Sequence, residues 1–134
     1  MSPPQKFVSG WMFLSAILVL LFTILTTMAA PAAGLINDLW LLPVGYLPAI
    51  ATGLIVGMAS KDNRNIETAC GFVLFAFVSA VVSAAAQVLG GTTPSLLLVP
   101  GLLVHAGLGG GLAFGTAALG RRYRMREPRG WRIE

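Results

Sequence analysis

Charge is what this sequence has least of. Only 10% of its 134 residues are Asp, Glu, Lys or Arg, while 56% are hydrophobic; an ordinary soluble domain is about 25% charged. A water-soluble fold needs a polar surface that this chain lacks, so composition places it in a bilayer as one small membrane domain. Cysteine is nearly missing as well. Cys70 stands alone, which excludes an intramolecular disulfide and any multi-cysteine metal site. No carboxylate lies in the middle of an apolar run, which argues against export coupled to a proton or cation through a membrane carboxylate. HExxH, CxxC and a serine or cysteine nucleophile paired with a base are all missing. The glycines of "GLGGGLAFG" lie inside an apolar run, without the lysine of a phosphate-binding loop. The sequence therefore reads as no enzyme, with no cofactor and no metal.

What remains is apolar and comes in four runs, about 7–30, 39–60, 66–89 and 94–120. Each is long enough to cross about 30 Å of hydrocarbon at 1.5 Å per residue. The fold expected is an all-α integral membrane protein of four transmembrane helices, a single domain over 1–134 with a basic tail at 121–134. Local chemistry agrees with these runs. Asp38 and Asn65 are placed to cap the second and third, Glu67 sits in the first turn of the third where the helix dipole favours it, and Thr93-Pro94 resembles a helix start. Pro128 stops any continuation of the last helix.

The basic residues are one-sided. Lys6 precedes the first run, Lys61 and Arg64 lie between the second and third, and six of the nine fall in the last fourteen residues; "PAAGLIND" and "GGTT" carry none. By the positive-inside rule, this puts both termini in the cytoplasm of a multi-pass cell-membrane protein. The first run, followed by "MAAPAA", has a rival reading as a cleaved signal peptide. Its apolar stretch is longer than a signal core, and Trp11 suits an interfacial anchor, so a retained helix is expected.

In lipid, close contact across small residues drives helix association. Gly53 and Gly57 in the second run and Gly107, Gly111 and Gly115 in the fourth recur every four residues, as do Ala76, Ala80 and Ala84 in the third. Glycine- and alanine-mediated packing is expected along these stripes. Pro43, Pro48 and Pro100 are expected to kink their helices and free carbonyls.

His105 is the one histidine, placed near mid-bilayer. An ionisable group there is a functional hypothesis by default, although a neutral imidazole bonded to Ser79, Ser83, Tyr46 or Thr52 serves packing equally well. Gln87 joins it as a possible intramembrane polar site. Cys70 reads as a small apolar residue. Arg121, Arg122, Arg124 and Arg126 read as membrane-surface anchors meeting anionic headgroups at about 1 kcal/mol each; their position against the bilayer makes nucleic acid a poor partner. Two function classes follow. One is a structural or accessory subunit working through helix packing, with itself or with a larger membrane partner. The other is a small oligomeric transporter or channel using a kinked-helix cavity near His105.

Overall fold

The computed structural model describes residues 6–32 and 38–126, with the backbone path alone for 32 and 38–44. These residues form four helices, α1 Ser9–Ala32, α2 Asp38–Ala59, α3 Asn65–Leu89 and α4 Leu98–Arg126, and no strand among the described residues. Three of them, Ser9–Pro31, Asn65–Leu89 and Leu98–Arg126, are long and apolar enough to cross a membrane, and Gly45–Ala59 of α2 is a shorter apolar helix segment. The protein is a small, all-helical chain with the character of a multi-pass membrane protein.

The first three helices begin and end within two residues of the expected runs. The fourth does not: it starts at Leu98 rather than Pro94. Before it lies a turn in which Ser95 Oγ accepts the Leu97 N–H at 3.2 Å and the Ser95 carbonyl accepts the Leu98 N–H at 3.0 Å. The physical reason is Pro100. Starting at Leu98 puts it in the first turn, where backbone N–H groups lack intrahelical acceptors anyway, so its missing donor costs no hydrogen bond. Pro48, by contrast, is buried in the middle of α2, where its missing N–H removes an intrahelical bond. At its other end α4 runs on to Arg126, with Arg124 and Arg126 in its last turn where the dipole favours cations. The expected tail thus begins as helix. Pro128, Arg129, Trp131 and Arg132 lie outside the described residues. Asn65 does not cap α3 with its own side chain; Asn63 Oδ1 accepts the Asn65 N–H at 3.2 Å instead.

The chain runs up and down, so α1 lies parallel to α3 and α2 parallel to α4. Helix α1 packs on α2 and α3, helix α4 packs on the same two, and α2 touches α3 across the centre. All four contribute to one core, formed by Val19, Ala49, Phe72, Ala76 and Ala113. This core sits near the middle of the helices, and buried Ser60, Glu67 and Thr68 continue the packing toward the end where α2 and α4 finish. Beyond Ala76 the helices present their apolar side chains outward: Phe77 is 57% exposed, Val82 61% and Leu89 89%. In water such exposure would drive collapse, but in hydrocarbon it carries no penalty.

At Gly53 and Gly57 the backbone of α2 comes against α4. A Cβ at Gly53 would lie 2.6 Å from the Ala113 carbonyl oxygen, and one at Gly57 would run into the Ala117 carbonyl. The stripe expected on α4 is different. A Cβ at Gly107, Gly111 or Gly115 would meet nothing within 4 Å, so these three glycines face away from the other helices. The buried side of α4 is Gly109, Gly110, Ala113, Ala117 and Gly120. Two small-residue stripes are interleaved on this helix, about 160° apart at 100° per residue, and spacing alone does not choose between them. Gly111→Ala is accordingly expected to raise stability by up to about 1 kcal/mol through helix propensity, with no clash. A thermal melt in mild detergent checks it; a midpoint lowered by several degrees would mean that this face is packed against protein.

Candidate functional site

Two polar places stand out in an otherwise apolar bundle. The first is at mid-bundle. Tyr46 on α2 and His105 on α4 come level because the two helices run parallel, and His105 Nδ1 lies 3.2 Å from the Tyr46 hydroxyl. Either the hydroxyl donates to a bare Nδ1 or the Nδ1–H donates to the hydroxyl oxygen, depending on the tautomer. The two ring centroids are 5.3 Å apart, and the Phe72 ring is equally close to the imidazole. Gly109 makes that possible, since a Cβ there would strike the Phe72 ring. Phe75 follows at 6.3 Å from Phe72. Both members of the Tyr46–His105 pair are half-buried.

This arrangement has one hydrogen bond and four rings. It has no neighbouring carboxylate, and no group of three His, Cys, Asp or Glu able to hold a metal occurs among the described residues. Gln87, the expected companion of His105, is exposed near the far end of α3. Because Phe72 lies beside both His105 and Gly109, His105 is level with about Phe72 to Ala76, and Gln87 is about 16 Å further along the axis at 1.5 Å per residue. The two do not form one site. Of the partners considered for His105, Tyr46 is the one it bonds. Thr52 is fully buried with its hydroxyl unpartnered among the described residues. Cys70 is free and half-buried, two residues before Phe72.

The second place is the end of the bundle where α1 and α3 begin and α2 and α4 finish. Glu67, in the first turn of α3, accepts from Arg64 Nη1 at 2.9 Å and from the Val8 N–H at 3.3 Å. It thereby satisfies one of the orphan donors at the start of α1 from another helix. Arg64 Nη1 also donates to the Lys6 carbonyl at 3.1 Å, and its Nη2 pairs with Asp62 Oδ2 at 3.0 Å. The Arg64 and Glu67 side chains are only 11% and 6% exposed. From α4, Arg124 Nη1 donates to the Ser60 carbonyl at 2.7 Å, and Ser60 Oγ donates to the Asp62 carbonyl at 3.0 Å. The short link between α2 and α3 is thus tied to α1 on one side and α4 on the other.

Sequence reasoning read Glu67 as a dipole partner, Arg64 as a topology signal and Arg124 as a surface anchor. It missed that the three build one clamp. The usable signal was the three-residue spacing of Arg64 and Glu67, opposite charges one turn apart at the start of α3. Arg121, Arg122 and Arg126 lie at this same end, Arg121 half-buried and the other two exposed.

No protein-family model, curated protein or solved structure matches the chain.

Proposed function

We propose that the protein is a four-span cell-membrane protein with both termini in the cytoplasm, and that it works as a structural or accessory subunit through helix packing rather than as an enzyme. The four-span reading is supported by the alternation of helix direction together with the collection of every described lysine and arginine at one end, as the positive-inside rule requires. Retention of α1 is supported by Val19, which belongs to the common core, and by Ser15, whose Cβ lies against Gly71 of α3. Packing through small residues is supported by the approach at Gly53 and Gly57.

One observation carries the functional reading: His105 is held by Tyr46 and flanked by Phe72, which makes it a packing element joining α2, α3 and α4. His105→Phe and Tyr46→Phe are each expected to lower stability by about 1 kcal/mol, the net worth of one hydrogen bond. Neither is expected to change proton or ion flux in proteoliposomes. Thermal melts and a dye-based flux assay on the same preparations read both outcomes.

The half-exposure of the Tyr46–His105 pair favours a second reading, a small oligomeric transporter or channel in which another subunit completes the cavity. A proton leak in the wild type that disappears in His105→Phe would establish that reading and remove the first.

A further inference from the structure

The clamp divides the cations of the end face into two groups. Arg64 and Arg124 are held by Glu67, Asp62 and the Lys6 and Ser60 carbonyls. Lys6, Lys61, Arg121, Arg122 and Arg126 make no ion pair among the described residues. The two carboxylates whose side chains are described on this face, Asp62 and Glu67, both lie on Arg64. A block of positive charge is therefore left with no counter-ion from the described part of the chain. Arg122 and Arg126 are four apart on one side of α4, a like-charge pair that destabilises a helix unless an anion offsets it. Arg121 adds a second deficit. Its Nε is shut off from solvent with no acceptor among the described residues, and a buried donor left unpaired is costly.

We propose that this face binds anionic phospholipid, with a headgroup phosphate on the Arg121 guanidinium and further anionic headgroups beside Arg122, Arg126 and Lys61. The proposal rests on the reading that this end of the bundle lies at the membrane surface. A guanidinium offers parallel N–H donors that match two phosphate oxygens, and a change of rotamer brings the Arg121 Nε and Nη to a headgroup at the rim. The same turns of α4 expose Tyr123 at 65% and Met125 at 68%, side chains suited to the boundary between headgroups and acyl chains. An acidic protein partner would satisfy the charge too, and tyrosine, methionine and arginine also suit a protein interface; lipid is favoured because this end of the bundle, on the membrane-surface reading, already lies among headgroups.

The test uses the full chain in mixed micelles of phosphatidylglycerol and phosphatidylcholine, with the retained lipid counted by native mass spectrometry. Wild type is expected to retain phosphatidylglycerol preferentially. Arg121→Gln is expected to lower that preference about fivefold, and the pair Arg122→Gln with Arg126→Gln about twenty-fivefold, taking a comparable contribution from each charge near an anionic surface. The second variant alters exposed side chains alone, so it stays informative if Arg121→Gln proves unstable in a thermal melt. Equal retention of the two lipids by wild type overturns the proposal, as does an unchanged preference in the double variant. Incorporation into bilayers separates the two levels: a chain that inserts without lipid preference loses this proposal alone, and one that does not insert loses the membrane reading with it.

Discussion

Gly57→Val is expected to be among the most damaging single substitutions in the bundle, costing at least about 3 kcal/mol. The obstacle is backbone: a Cβ at this position runs into the carbonyl group of Ala117 and lies 3.0 Å from its Cα. A side chain in the way can rotate, but a helix backbone moves only as a body. Accommodation therefore means pushing α4 away from α2, and that contact also holds Tyr46 to His105 and Arg124 to the Ser60 carbonyl. The loss is cooperative across the whole length of the pair. Gly57→Ala is expected to show the same effect in smaller measure, and Ala117→Gly is expected not to rescue it, because removing the Ala117 methyl leaves the carbonyl in place. Thermal melts of the single and double variants in one detergent decide the matter. Full rescue by Ala117→Gly would mean that side-chain bulk, not backbone approach, sets the α2–α4 distance.

Set beside Gly111→Ala, the contrast shows what could be read in the sequence and what could not. Hydropathy placed the first three helices to within two residues at each end because the extent of an apolar run is a one-dimensional property of the sequence. The start of α4 escaped it because two prolines compete there, and Thr93-Pro94 is the better local start signal while Leu98 is the start that places Pro100 harmlessly. Facing was harder still. On α2 one four-residue stripe, Ala49, Gly53 and Gly57, is buried, and its two glycines meet the α4 backbone. On α4 small residues line two sides, and only the neighbours decide that Ala113 and Ala117 turn inward while Gly111 and Gly115 do not. The tie between His105 and Tyr46 was legible as one of four options, since the helices' relative height was unknown. Beyond the spacing of Arg64 and Glu67 the clamp was illegible, because its other acceptors are backbone groups at Lys6 and Ser60, which carry no sequence signature.

That clamp yields the second large effect. Glu67→Leu is expected to cost about 3 kcal/mol, the low end for breaking a buried ion pair, because Asp62 still meets the other side of the Arg64 guanidinium. The damage is expected to fall first on α1. Every other side-chain hydrogen bond described in that helix closes on the helix itself: Ser15 to Trp11, Thr23 to Val19, Thr26 to Phe22 and Thr27 to Thr23. Among the described residues, the polar ties from the start of α1 to the rest of the protein are the Lys6 carbonyl and the Val8 N–H just before it, both of which go to the Arg64–Glu67 pair. Amide exchange at Val8 to Met12 should thus rise in Glu67→Leu before exchange in α3 and α4 does. A double-mutant cycle sharpens the argument. With Arg64→Leu and Glu67→Leu together no unpaired buried charge is left behind, since Asp62, which loses Arg64, is 61% exposed, so the double variant should be more stable than the sum of the single losses predicts. Strict additivity would mean that each residue acts alone, Glu67 as a cap on α1 and Arg64 as a partner of Asp62, and the clamp would then be two neighbouring contacts rather than one unit.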